Sequence, residues 1–271
     1  MGAIRIGISG WRYPGWRGTF YPVGLPPRDE LSFAAARLGS IEINGTFYGL
    51  QHPASFAAWH DAVPKDFVFA VKAPRYITHM LKLRAAETPL ANFLASGLFA
   101  LGAKLGPLLW QLPARFAYDA ARLDQFLALL PHDTAAAAVL AARHGPRLAG
   151  RALLEAGPLR PLRHALEVRH PSFGAPAFFA CLRRHRVALV VSDAPDWPRF
   201  TEVTADFVYC RLHGAGELYA GGYDADALAA WAAQVRRWAA AADVFVYFDN
   251  DAKVRAPFDA MALSDRLGVG G

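Results

Sequence analysis

Eight short apolar runs recur along the 271 residues and close on polar or charged residues: IRIGISGW, SIEIN, FVFAVK, GPLLWQLP, ALEVRH, VALVVSD, FVYCRLHG and VFVYFDND. Runs of this length, rich in β-branched and aromatic residues, read as buried strands. A buried strand carries charge at its tip only where the tip opens onto a polar cavity or the charge is paired internally. The eight endings therefore outline one candidate site.

Between the runs lie helical patterns. Residues 28–38 place Leu31, Ala34, Ala35 and Leu38 on one stripe, with Pro26 and Pro27 before it and Gly39 after it. Further helices are expected over 54–62, 89–105, 119–130, 176–186, 225–241 and 257–267, with Leu228, Trp231, Val235 and Trp238 sharing a face in the fifth of these. Alternating strand and helix implies a parallel sheet with right-handed crossovers, and eight units in one chain is the count of a (β/α)8, TIM-type barrel. Two departures are expected: a helical insertion between strands 4 and 5 (residues 132–163) and a degenerate, Pro-broken unit between strands 6 and 7 (residues 194–205). No linker or repeat divides residues 1–271, which read as a single α/β domain.

Composition bounds the function classes. With 54% hydrophobic and 19% charged residues, the chain has material for a large core and is not disordered. A formal charge of +6 and a pI near 9.5 favour anionic partners without choosing among phosphate, carboxylate and nucleic acid. Cys181 and Cys210 lie far apart with no CxxC spacing and are expected to be reduced and buried. The start, MGAIRIGISGW, lacks the pattern of a signal peptide, and no apolar run approaches the ~20 residues of a bilayer span, so a cytoplasmic protein without membrane contact is expected. Oligomeric state is left open.

Side-chain alternation separates the strand faces. Glu42 and Asn44 oppose Ile41 and Ile43; Glu167 and Arg169 oppose Leu166 and Val168; Tyr209, Arg211 and His213 oppose Val208, Cys210 and Leu212; Tyr247 and Asp249 oppose Val246 and Phe248; Lys72 opposes Val71. The apolar set suits the helix-covered outside. The polar set is therefore expected to point inward, at the C-terminal ends of the strands, where barrels of this type build their sites.

On GISGWRYPGWRGTFYP, SIEINGTFYG, FVFAVKAPRYITH, LGPLLWQLP, LEVRHPSF, VVSDAP, DFVYCRLHG and VFVYFDND, the chain resembles the YecE-like family (domain of unknown function 72) over essentially its whole length. The resemblance implies a TIM-type barrel and the place of its site. It carries no activity. Matching tips here are Trp11, Glu42, Asn44, Lys72, Gln111, Glu167, Arg169, His170, Asp193, Arg211, His213, Asn250 and Asp251; Asp249 stands where the family more often has Asn.

These residues suggest a division of labour. Glu42, Glu167, Asp193 and Asp249 are candidate acid/base carboxylates; Lys72, Arg169, Arg211 and His213 are candidate holders of an anionic substrate group, with Trp11, Asn44, Gln111 and Asn250 as further contacts. The expected function is that of an enzyme on a small anionic or phosphorylated molecule, without a cofactor; hydrolysis, lyase chemistry and isomerisation stay open. A competing account is an internal ion-pair network joining Glu167 to Arg169 and Asp193 to Arg211. A second is a non-catalytic binding protein for a nucleotide, sugar phosphate or nucleic-acid end. A third is a divalent-metal centre on Glu167, Asp193, His213 and Asp249, like those of xylose isomerase-like barrels, against which two guanidiniums in the same ring argue. The Gly-rich stretch 214–222 offers a phosphate loop or a plain turn. Trp11, Tyr13, Trp16, Phe20, Tyr21, Phe47 and Tyr48 offer a stacking wall or a hydrophobic plug.

Overall fold

The close approach of the first two strands is set by a glycine. In the computed structural model, which describes residues 1–270, β1 (Ile4–Ser9) lies parallel to β2 (Ser40–Ile43) with Gly7 opposite Ser40. A Cβ on Gly7 would fall 1.9 Å from the Ser40 carbonyl oxygen. Beside it, Ser40 Oγ lies 2.7 Å from the Tyr247 hydroxyl.

Six further strands follow: β3 (Val68–Lys72), β4 (Leu105–Gln111), β5 (His164–Glu167), β6 (Val187–Asp193), β7 (Phe207–Leu212) and β8 (Asp243–Phe248). The sheet is a closed barrel in strand order β1 to β8, and the pairs are parallel. The helices are α1 (Glu30–Ala35), α2 (Gly45–Tyr48), α3 (Pro53–Asp61), α4 (Glu87–Ala95), α5 (Ala120–Leu127), α6 (Thr134–Ala141), α7 (Pro176–Arg184), α8 (Ala225–Ala239) and α9 (Arg255–Leu267). The expected α/β barrel is therefore the fold. α6 supplies the insertion between β4 and β5, and no helix forms between β6 and β7.

Two helices differ clearly from their expected extent: that expected over 28–38 forms only over Glu30–Ala35, and that over 89–105 is divided. Residues 89–105 do not form a single helix: α4 ends at Ala95, and a 3-10 segment, Leu98–Lys104, starts afresh beyond Gly97. Gly97 has φ 127°, which breaks the helical ladder, and a Cβ there would meet the Pro53 Cα at 2.6 Å.

The chain divides into two compact units, residues 1–42, 63–68 and 188–271 in one and residues 43–62 and 69–187 in the other. In the first, α8 buries Leu228, Trp231 and Val235 and is capped by Asp224, which accepts from the Ala227 N–H at 2.8 Å. In the second, Trp110 of β4 is fully buried, with Phe93 of α4 at 6.0 Å and Phe126 of α5 at 5.1 Å in edge-on ring contacts. Trp110 Nε1–H donates to His164 Nδ1 at 3.1 Å, and His164 Nε2–H donates to the Pro131 carbonyl at 2.7 Å. Both ring nitrogens are thus used by the neutral imidazole. Burial pushes its pKa down to about 4.

Two outcomes follow from these contacts. Gly7→Ala should lower the urea midpoint severely or prevent folding, because the obstructing atom is backbone and cannot move aside. For His164 the folded chain refuses a proton that the unfolded chain accepts below about 6.5. Its contribution is complete above that pH and is lost as pH falls toward 4, about 2 kcal/mol of it between pH 7 and 5. Urea unfolding at those two pH values should show a drop smaller by that amount in His164→Gln than in wild type.

Candidate functional site

In the first unit, the inward alternation of β1, β2, β7 and β8 produces one buried polar cluster. Arg211 has no exposed surface. Its Nε donates to Glu42 Oε2 at 3.1 Å, and its Nη2 donates to Glu42 Oε1 at 2.9 Å, to Asp249 Oδ2 at 3.0 Å and to Ser9 Oγ at 3.2 Å. Glu42, equally buried, also accepts from the Tyr209 hydroxyl at 2.6 Å and from Ser9 Oγ at 3.0 Å. His213 places Nδ1 3.0 Å from Asp249 Oδ2, while its ring meets Trp197 edge-on at 4.8 Å. Register explains the gathering: Ser9 pairs with Glu42 and Arg211 with Tyr247, so these residues occupy neighbouring levels of one face.

This geometry revises three expectations. The internal ion-pair network exists at Arg211, but its partners are Glu42 and Asp249 rather than Asp193. Glu42, expected as a base, has both oxygens engaged by donors and no exposed surface; Arg211, expected to hold a substrate anion, is compensated by protein carboxylates. Asp193 does not join them. Ser192 pairs with Arg211 and Asp193 with Leu212, so Asp193 faces the helix side. There it meets Arg199 at 3.2 Å and lines a cavity of about 360 Å³ with Tyr223, Trp231 and Trp238.

The same facts weigh against the alternative metal set of Glu167, Asp193, His213 and Asp249. Asp193 is turned to the other face, and the carboxylate oxygen of Asp249 that approaches His213 is also bound by Arg211. A cation at that oxygen would face a guanidinium at hydrogen-bond range.

Asn250 is buried and tied inward, its amide donating to the Gly221 carbonyl and to Asp259 Oδ2, both at 2.8 Å. It fastens the end of β8 to the 214–222 stretch and α9. That stretch is a turn held by its own backbone, with the Glu217 carbonyl accepting from Ala220 and Gly221. Asp251, just beyond, has its carboxyl pushed up to about 6 by burial and by Asp249. Trp11 is 7% exposed, and its carbonyl accepts from the Tyr21 hydroxyl at 2.6 Å. Tyr13 stacks on Trp16 at 4.5 Å and Phe20 lies edge-on to Trp16 at 5.6 Å, so these rings form a plug.

In the second unit a polar group forms at the ends of β3 and β5. Lys72 Nζ sits 4.5 Å over the Phe47 ring, and His79 meets the same ring edge-on at 5.2 Å. Phe47 is thus flanked by two basic side chains. Arg169 grips Glu167 Oε1 through Nε and Nη2, each at 2.6 Å. Burial, then the nearby cations of Arg169, Lys72 and Arg75, push the His79 pKa down to about 4, so the ring is neutral at pH 7. Thr46 Oγ1 donates to the Lys72 carbonyl at 2.7 Å, which fixes the β2–α2 connection to the end of β3; Asn44, in that connection, has a buried Oδ1 without a hydrogen-bond partner. Gln111 is in register with Glu167 and is buried. The expected Glu167–Arg169 pair is therefore real, and the Arg169 side chain keeps 10% of its surface exposed.

His79, Tyr209, Ser9 and Trp197 were not singled out from the sequence. His79 lies in a π-helical turn, Tyr76–Met80, where neither strand nor α-helix periodicity applies. Tyr209 was assigned the inward face but given no role, because its partner Glu42 is 167 positions away.

Replacing Arg211 with Ala would leave Glu42 and Asp249 buried beside an empty space. A loss on the order of 3–5 kcal/mol is expected in equilibrium urea unfolding. A loss below about 1 kcal/mol would mean that the cluster does not hold the strand ends together.

Comparison with known proteins places the chain. It is 30% identical over 131 residues to the UPF0759 protein YecE of Escherichia coli (strain K12), a match covering 48% of this chain and 45% of that protein, so it spans about half the length of the curated relative. The crystal structure of a DUF72 family protein from Thermotoga maritima MSB8 superimposes with TM-score 0.78 at 24% identity, covering 98% of this chain and 99% of that one. One from Enterococcus faecalis V583 gives 0.74 at 20%, covering 99% and 96%. The family described as "Protein of unknown function DUF72" matches residues 5–271, and the chain belongs to it.

Proposed function

We propose that this chain is an enzyme acting on a small anionic or phosphorylated substrate, held by Lys72, Arg169 and His79 at the ends of β3 and β5. The supporting observation is the setting of His79: a neutral imidazole beside Phe47, in the field of three cationic side chains. A bound anion would reverse that field. It would favour the imidazolium, adding a third charged donor to the ammonium and the guanidinium. Arg169 can turn its exposed edge to a ligand while keeping Glu167 ionised as a base. Asn44 and Gln111 would orient the rest of the molecule. Glu42, Arg211, Asp249 and His213 then act as the scaffold of the first unit's strand ends, not as substrate contacts.

A binding protein for nucleic acid needs a track of free basic residues. Arg143 of the insertion is instead paired with Glu87 at 3.0 Å, and Arg151 lies against His52 at 3.1 Å. This favours a small molecule. The test is a thermal-shift series with inorganic phosphate, pyrophosphate and citrate. Saturating anion should raise the wild-type Tm on the order of 5 °C, and Lys72→Ala and Arg169→Ala should lose most of that shift. The His79 NMR titration should move upward from about 4 when the anion is bound. Absence of both effects would overturn the reading, and stabilising anions that undergo no chemical change when followed by NMR would reduce it to binding alone.

A further inference from the structure

A second group of chemically capable side chains lies on the helix layer of the second unit, away from the strand ends. Cys181 and His185 are four residues apart, at the end of α7, and so present to one side. Asp124 of α5 faces them. His185 Nε2 lies 2.6 Å from Asp124 Oδ1, Cys181 Sγ lies 3.8 Å from the same oxygen, and one ligand atom from each residue falls within 4.8 Å of the others. Cys181 is 4% exposed, and the His185 side chain 15%.

We propose that Asp124, Cys181 and His185 form a binding site for a zinc-class divalent metal ion, with water completing a tetrahedron. Around such an ion, ligand atoms stand roughly 3.3–3.5 Å apart. The thiol-to-carboxylate distance is already near that value, and the imidazole and carboxylate need to separate by less than about 1 Å. One thiolate, one carboxylate and one neutral imidazole match both the charge and the mixed softness that zinc selects.

Arg184 must move aside for a metal ion, and unlike the sealed Arg211 it is placed to do so. Its Nη2 bonds to Asp124 Oδ1 and lies 3.7 Å from Cys181 Sγ, so the guanidinium occupies the region between two of the ligands. Its side chain is 60% exposed and can leave for water when a metal ion takes that charge. On binding, the Cys181 S–H bond gives way to an S–metal bond and the proton leaves to solvent.

The test uses full-length, tag-free protein stripped with a chelator and titrated with Co²⁺. Wild type should develop a thiolate-to-cobalt charge-transfer band with tetrahedral ligand-field bands, and Zn²⁺ should abolish both. Cys181→Ser should remove the charge-transfer band although Cys210 is retained. Asp124→Asn and His185→Gln should each weaken Co²⁺ binding by about tenfold or more. Arg184→Ala should tighten it, since it frees the shared carboxylate oxygen. Failure of wild type to give the charge-transfer band would overturn the proposal, as would its persistence in Cys181→Ser or weaker binding in Arg184→Ala. Should Cys181→Ser not fold, Asp124→Asn and Arg184→Ala decide by their opposite signs.

Discussion

The fully buried guanidinium of Arg211 is the constraint on which the first unit depends. A charge of that kind is tolerated only if its donors find strong acceptors, and Ser9 of β1, Glu42 of β2 and Asp249, just beyond β8, supply them. Tyr209 then completes Glu42, and His213 sits against Asp249. Because these partners lie on or just beyond β1, β2, β7 and β8, the register of those strands cannot slip without stranding a buried charge. Gly7 works to the same end by allowing β1 to lie close against β2.

The second unit uses polar residues differently. Trp110 and His164 form a closed chain of hydrogen bonds on the helix side and keep the imidazole neutral. At the strand ends, Lys72 and His79 flank the Phe47 ring and Arg169 holds the buried carboxylate of Glu167, with 10% of the Arg169 side chain exposed. Residues sealed on all sides hold a fold together, whereas cations with an open edge can exchange a protein partner for a ligand.

Much of this was legible from the chain itself. The eight runs and the helices between them specify the barrel, since a period of two and a period of 3.6 are local properties of residue order. Alternation also assigned Glu42, Lys72, Glu167, Arg211 and Asp249 to one face, and the short pair Glu167–Arg169 could be named because its members are two residues apart. Asp193 was misplaced for a reason that alternation cannot repair: Ser192 and Asp193 are both polar, and only the register with Arg211 and Leu212 tells which one faces inward.

Sequence order by itself determined the fold class, the inward set and the position of the insertion, because each rests on near neighbours. Tertiary structure alone decided which charges meet. Arg211 and Glu42 are 169 residues apart, Cys181 and Asp124 57, and His79 is turned toward Lys72 and Phe47 by a π-helical turn with no signature of its own. Electrostatic partnership falls off over a few ångströms of space, and distance along a chain carries no information about that separation until the strands have closed.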